Sequence, residues 1–213
     1  MIARDSILGV ILAGGAARRL FPGKVGGGDK GFAELAGAPM LAHVIARFAP
    51  QVDRLILNAN GDPARFAAFG LKVVADEGPP GQGPLAGLLT AIAWAEASGE
   101  GYAAIATVTT DVPFLPDGLV TRLAAAYTSG PVVAQSGGRV HPCIGLWPLS
   151  LKDAVRTALS AQRRSVEAFA LANGAIAVAF PFGDSGNPTI DPFFNANTPD
   201  DLATARKLLA GQT

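Results

Sequence analysis

Short apolar runs of strand length alternate along the chain with Ala-rich or amphipathic stretches of helical length. The runs at 7–13, 54–58, 72–75, 103–107, 132–135, 144–147 and 175–179 read as strands, and several lack a polar alternate face, as strands buried on both sides do. The intervening segments 40–49, 63–69, 85–97, 117–127, 152–159, 166–172 and 199–209 read as helices. This order predicts a single α/β domain over 1–213, a three-layer sandwich whose mainly parallel, twisted sheet carries helices on both faces. The final helix has a clear start: Thr198 as cap, Pro199 in the first turn, and Asp200 and Asp201 at the positive end of the dipole. No repeat or linker divides the chain. The densest Gly/Pro segment, 78–84, falls between a strand and a helix and reads as a loop over a site.

In open parallel sheets ligands bind beyond the carboxyl ends of the strands. The groups expected there are the glycine loop after the first strand, Asn58 and Asn60 after the second, Asp76 after the third and Asp111 after the 103–107 strand. Residues 12–31, LAGGAARRLFPGKVGGGDKG, are the richest of these. Gly14 and Gly15, without a Cβ, let backbone N–H groups converge on anionic oxygens. Arg18, Arg19 and Lys30 add full charges, and Lys24 either joins them or faces solvent. Neither the P-loop pattern nor a Gly-x-Gly-x-x-Gly opening a helix after the first strand is present. The competing reading is a glycine-rich surface loop with scattered cations; the preceding strand and the later Asp29-Lys30-Gly31 favour a polyphosphate site.

Charge and cysteine content narrow the class. Lys and Arg number 17, Asp and Glu 17, so the balance gives no sign of nucleic-acid binding, and any basic site must be local. The single cysteine, Cys143, permits no intrachain disulfide and suits a reducing compartment. The N-terminal residues do not have the form of a secretory signal, and the longest apolar stretch, 84–95, is too short for a bilayer; a soluble, cytoplasmic protein with no membrane partner is expected.

Asp111 stands in Thr110-Asp111-Val112-Pro113, where it is either a turn former or a metal ligand. A triphosphate in such a pocket brings Mg²⁺, which takes one or two protein oxygens together with phosphate and water. A second oxygen would come from Asn195 or Asn197, unless Asn197 merely begins the last helix.

Taken in order, these pieces resemble the molybdenum cofactor guanylyltransferases, within the Rossmann-like nucleotidyltransferases. The likeness spans essentially the whole chain: Leu12-Ala13-Gly14-Gly15 with Arg18-Arg19, Asp29-Lys30-Gly31, Asn58-Ala59-Asn60, Gly83-Pro84-Leu85-Ala86-Gly87, Thr110-Asp111-Val112-Pro113, His141-Pro142 and Asn195-Ala196-Asn197-Thr198-Pro199. Leu20 departs from the family's usual methionine, and the connection 21–28 is longer than is typical.

The resemblance implies transfer of GMP from Mg²⁺·GTP to the terminal phosphate of molybdopterin or its molybdenum form, with release of pyrophosphate. It implies GTP contacts from Leu12, Ala13, Gly14, Gly15, Lys30, Asn58, Asp76 and Asp111, with Asp111 on magnesium and Asn195 and Asn197 nearby. Arg19, Lys30 and Asp111 would carry catalysis. Arg139, His141, Arg163 and Arg164 are candidates to hold molybdopterin; the alternatives are a solvated helix start for the Arg163-Arg164 pair and a plain loop residue for His141. Molybdoenzyme maturation proteins are implied as partners. Rival readings are a cytidylyl enzyme on the same cofactor, a sugar-phosphate nucleotidyltransferase, and a non-catalytic nucleotide-binding maturation protein on the same fold.

Overall fold

The structure is a computed structural model that describes residues 2–14, 29–79, 81–184 and 189–210. Seven strands form the main sheet: β1 (Ile7–Leu12), β4 (Arg54–Asn58), β5 (Lys72–Val74), β6 (Ala104–Thr109), β7 (Val132–Ser136), β8 (Arg139–Pro148) and β9 (Ile176–Ala179), in the order β5-β4-β1-β6-β8-β7-β9. β8 pairs antiparallel with both neighbours and every other pairing is parallel, so six strands share one direction. The expected mainly parallel α/β sheet is what the chain forms.

Side chains on β1 alternate between two cores. Ile7 and Ile11 face one in which α1 (Met40–Phe48) and α3 (Leu119–Ala126) bury Leu41, Val44, Phe48, Leu119 and Leu123. Leu8, Val10 and Leu12 face the other, filled from α2 (Pro84–Ala97), α4 (Lys152–Ser160) and α5 (Val166–Ala172) by Leu85, Leu88, Ile92, Val155 and Phe169. With both faces covered, the near-continuous apolar strands follow from the architecture.

A third, smaller core fastens the C-terminal segment. Phe114, Ile190 and Ala196 are buried there with Ala205 of α6 (Pro199–Ala210), against Leu35 of a short ribbon, β2 (Glu34–Leu35) paired with β3 (Ala38–Pro39). Arg206 reinforces the contact by donating to Glu34 O at 2.9 Å. A fully buried large apolar side chain contributes about 1.5–3 kcal/mol, so Phe114 and Phe193, 0% and 1% exposed, hold residues 190–197 firmly onto the sheet edge.

Beyond small shifts of boundaries and short 3₁₀ turns, three departures from the sequence expectation stand out. Residues 63–69 form a 3₁₀ turn in place of an α-helix, capped by Asp62, which accepts from Ala64 N at 2.9 Å. The β2–β3 ribbon was not predicted, since two residues carry no alternation to read. β8 begins at Arg139, well before the predicted 144, because a bulge opposite Val133/Ala134 absorbs Pro142 and its neighbours. The β7–β8 hairpin turns through Gly137 and Gly138, both at positive φ. None of the helices among the described residues is long and apolar enough to cross a membrane.

Candidate functional site

The loops after β1, β4, β5 and β6 converge on a cavity of about 330 Å³, bounded by Leu12, Gly14, Lys30, Asn58, Asn60, Asp76, Thr109, Asp111 and the 81–84 loop. Gly83 and Pro84 belong to this lining, so the positive end of the fourteen-residue α2 dipole lies on its rim. Pro84 suits that first position because the missing N–H would have had no partner in the helix.

One wall is a network around Asp76. Asn58 Nδ2 donates to Asp76 Oδ1 at 2.8 Å and to Val74 O at 3.2 Å, and Thr90 Oγ1 lies 3.2 Å from the same carboxylate oxygen. Asn60 and Asp76 hold each other reciprocally: Asn60 Nδ2 donates to Asp76 Oδ2 at 2.8 Å, and Asp76 N donates to Asn60 Oδ1 at 2.8 Å. Asn58 is only 4% exposed, and both hydrogens of its amide nitrogen are engaged in this network. A Cβ on Gly87 would sit 2.3 Å from Asn58 Oδ1 and 2.9 Å from Leu12 Cδ2, so only glycine lets α2 approach this wall so closely. Ala13 N donates to Asn58 O at 2.8 Å, which continues the β1–β4 pairing to the cavity edge.

The opposite wall centres on Asp111. Thr109 Oγ1 donates to Asp111 Oδ1 at 2.6 Å, and Lys30 Nζ lies 3.1 Å from Asp111 Oδ2. Lys30 Nζ also donates to Asn197 Oδ1. The segment carrying Asn197 is tied to the same residue by Ala196 N, which donates to Asp111 O at 3.0 Å. Asn197 N and Thr198 N both donate to Asp201 Oδ2, and Asp201 N returns a bond to Thr198 Oγ1, so a reciprocal cap fixes the start of α6 beside the site. Lys30 opens a 3₁₀ turn, Lys30–Phe32, capped by Asp29, which accepts from Gly31 N at 3.1 Å.

The donor set suits a hard divalent cation. Among the described residues there is no group of three His, Cys, Asp or Glu side chains that could hold a metal. The oxygens present are instead one carboxylate, Asp111, and one amide, Asn197, and both already converge on a single cation, the Lys30 ammonium. Asn195 Oδ1 is a buried oxygen with no partner among the described residues, on the segment that bonds Asp111. Two hard oxygens and open coordination positions are what magnesium takes when phosphates supply the remainder. Cys143 is no nucleophile here, since burial first and the Asp111 charge second push its thiol up to about 11.

Of the residues expected to bind nucleotide or metal, Leu12, Gly14, Lys30, Asn58, Asp76 and Asp111 are brought together around the cavity, and Asn197 reaches it through Lys30. Ala13 is buried beside it. Gly15, Arg18, Arg19 and Lys24 lie outside the described residues. The four molybdopterin candidates do not form one group. His141 is buried with its ring tilted against that of Phe193, centroids 4.9 Å apart. Ser136 Oγ donates its only hydrogen to Asp191 Oδ1 at 2.7 Å, so the 2.8 Å contact with His141 requires that Nε2 carry the ring proton. Arg139 is exposed at the β7–β8 hairpin. Arg163 and Arg164 border a different cavity of about 570 Å³ between α4 and α5, and Arg164 Nη1 lies 3.3 Å from Gly81 O of the loop over the first cavity.

The sequence reading missed Thr109 and Thr90. A hydroxyl inside an otherwise apolar helix, as Thr90 is in α2, was the available signal for one of them; Thr109, one step before Thr110-Asp111, carried none of its own.

Comparison with known proteins identifies the family. Residues 9–190 match the family model described as the MobA-like NTP transferase domain. A protein named molybdenum cofactor guanylyltransferase from a Bradyrhizobium strain is 46% identical over 209 residues, covering 96% of this chain and 94% of its own. One of the same name from Mesorhizobium japonicum is 46% identical over 214 residues, covering 99% of each. Among solved structures, molybdopterin-guanine dinucleotide biosynthesis protein A from Archaeoglobus fulgidus superposes with a TM-score of 0.73 at 19% identity, over 96% of this chain and 99% of that one. The 4-diphosphocytidyl-2C-methyl-D-erythritol synthase of Anaerococcus prevotii superposes with a TM-score of 0.71 at 11% identity, over 96% of each, so the fold alone does not choose the substrate. On sequence, the chain belongs to the molybdenum cofactor guanylyltransferases of the MobA-like NTP transferase family, and is a nucleotidyltransferase enzyme of molybdenum cofactor biosynthesis.

Proposed function

We propose that the protein transfers GMP from Mg²⁺·GTP to the terminal phosphate of molybdopterin or the molybdenum cofactor. The observation that carries this reading is the facing of two walls across one cavity: Asn58, Asn60 and Asp76 on one side, Lys30 and Asp111 on the other. The first supplies a neutral and anionic hydrogen-bonding surface for a nucleoside; the second supplies a cation and hard oxygens for phosphates.

The reaction joins an oxygen of the acceptor phosphate to the α-phosphorus of GTP and breaks the bond from that phosphorus to the bridging oxygen, which leaves on pyrophosphate. A phosphate monoester is largely dianionic at neutral pH, its second pKa being about 6, so the nucleophile needs no general base. That accords with a site that holds no histidine among the described lining residues. The protein's work is alignment of two anions and neutralisation of charge that builds on the departing group.

Lys30 is placed for the second task. Its ammonium, bonded to Asp111 and Asn197, is a compact charge on a flexible stem that can turn to phosphate oxygens. Asp111 and Asn197 would hold magnesium, which supplies further neutralisation of the α-phosphate and pyrophosphate charge. Thr109 fixes the rotation of the Asp111 carboxylate, and Ala196 N fixes its backbone. Arg19, outside the described residues, is the further cation the family resemblance implies.

Pyrophosphate release measured with purified protein, molybdopterin and each nucleoside triphosphate tests the reading. Release is expected only with GTP, molybdopterin and magnesium together. A clear preference for CTP, or release independent of molybdopterin, would overturn it.

A further inference from the structure

The two walls of the cavity come from distant parts of the chain, and a side chain outside the cavity bonds Asn60 of one wall and pairs with Asp29, which precedes Lys30 of the other. Arg65 lies on the 63–69 turn, anchored by Phe66, which is fully buried and stacks on Phe32 at 5.3 Å. Its guanidinium carbon sits 4.6 Å over the Phe66 ring. A single nitrogen, Nη2, donates to Asn60 O at 2.7 Å and lies 3.7 Å from Asp29 Oδ2.

Those two partners lead in opposite directions. Asn60 is the residue locked reciprocally to Asp76 on the nucleoside wall. Asp29 caps the turn that begins with Lys30, on the phosphate wall. The Asp29 side chain is only 8% exposed, and its burial pushes the carboxyl up from 3.8 while the Gly31 N–H and the Arg65 charge pull it back. Arg65 thus provides the neighbouring full charge that favours an ionised, turn-capping Asp29.

We propose that Arg65 is a positioning residue that couples the nucleoside wall at Asn60–Asp76 to the phosphate wall at Asp29–Lys30, so that a bound nucleoside triphosphate meets both in register. The proposal rests on the nucleotide reading of the cavity and adds to it a residue that touches no substrate. A residue that merely supported the Asn60 loop would affect nucleoside and nucleotide alike; a coupling residue affects the triphosphate more.

The test measures dissociation constants for Mg²⁺·GTP and for guanosine in the wild type, Arg65→Met, Arg65→Lys and Asp29→Asn. Arg65→Met keeps the stem but removes charge and donors. It is expected to weaken GTP binding roughly tenfold and guanosine binding no more than about threefold, a scale set by the loss of charged hydrogen bonds. Arg65→Lys, which keeps the charge but not the planar group over Phe66, is expected to lose less GTP affinity than Arg65→Met. Asp29→Asn retains an acceptor for Gly31 N but not the charge, and reproduces the unequal loss even where Arg65→Met fails to fold. Equal weakening of GTP and guanosine, or none, overturns the proposal. A wild type that binds CTP over GTP overturns the guanylyl reading alone, and the CTP and cytidine pair then carries the same comparison. A wild type that binds no nucleoside triphosphate overturns both.

Discussion

Lys30 Nζ lies 3.1 Å from Asp111 Oδ2 although 81 positions separate the two in the chain. The contact joins the end of the glycine-rich connection to the end of β6, and Asn197, 167 positions from Lys30, closes it from the C-terminal side. Side-chain exposures of 19% for Lys30 and 13% for Asp111 leave the pair sheltered yet at the cavity wall. In the proposed reading this ion pair would be open to exchange: phosphates would compete for the lysine, and a metal ion would compete for the Asp111 and Asn197 oxygens.

Asp111→Asn removes the charge with little change of shape; its single amide oxygen can accept from Thr109 or from Lys30, which bond different carboxylate oxygens, but not from both. Transfer of GMP is expected to fall by more than about 10²–10³, the scale for loss of one preorganised charge-stabilising group. The thermal unfolding midpoint is expected to stay within a few degrees of wild type. Normal activity in the folded variant would remove Asp111 from the account.

Lys30→Met separates two roles of one side chain. Transfer is expected to drop by about 10²–10³. Binding of Mn²⁺ without nucleotide, followed by electron paramagnetic resonance, is expected to strengthen, since the ammonium no longer occupies the Asp111 and Asn197 oxygens. Unchanged or weaker Mn²⁺ binding would mean that these oxygens are not the metal's ligands.

Gly87→Ala probes the close approach of α2 to Asn58. The added methyl would stand 2.3 Å from Asn58 Oδ1, so Asn58 must shift and its bond to Asp76 must lengthen or break. Overpacking of this kind costs about 1–3 kcal/mol of stability, and GTP affinity is expected to fall with it. Denaturant unfolding and nucleotide titration together check this; a variant unchanged in both would show that the contact is not needed.

His141 gives a pH signature unrelated to catalysis. Burial is the main cause that lowers its pKa from 6.5; the Asp191 charge opposes this and the Arg139 charge adds to it. The folded protein therefore holds the ring neutral where the unfolded chain already takes up a proton. Stability attributable to this residue is complete above 6.5 and declines as pH falls toward the lowered folded value, with a slope of at most about 1.4 kcal/mol per pH unit. Urea unfolding between pH 7.5 and 5.5 is expected to show that decline, reduced in His141→Gln.

Most of the sheet was legible because its inner strands, such as β1 and β6, are buried on both faces and read as continuous apolar runs; β4 was bounded to the residue. The convergence of Leu12, Asn58, Asp76 and Asp111 was legible because strand ends in a parallel sheet share an edge. What the sequence hid was pairing. Nothing in the spacing of Lys30, Asp111 and Asn197 tells that they meet, since tertiary packing of α6 on the β2–β3 ribbon brings the last of them there. Arg65 was equally hidden: an arginine in a short turn has no periodicity to mark it, and its significance lies only in touching both Asn60 and Asp29. His141 stood beside Pro142 and read as a loop residue, whereas the bulge in β8 lets the strand continue through both.

The most direct test of a shared grip on one nucleotide is a crystal structure with GTP and Mn²⁺, the metal located by its anomalous signal. The account predicts the metal at coordination distance from the Asp111 carboxylate, the phosphates against Lys30, and the nucleoside along the Asn60–Asp76 wall. A nucleotide seated elsewhere, as in the cavity between α4 and α5, or a metal remote from Asp111, would contradict it.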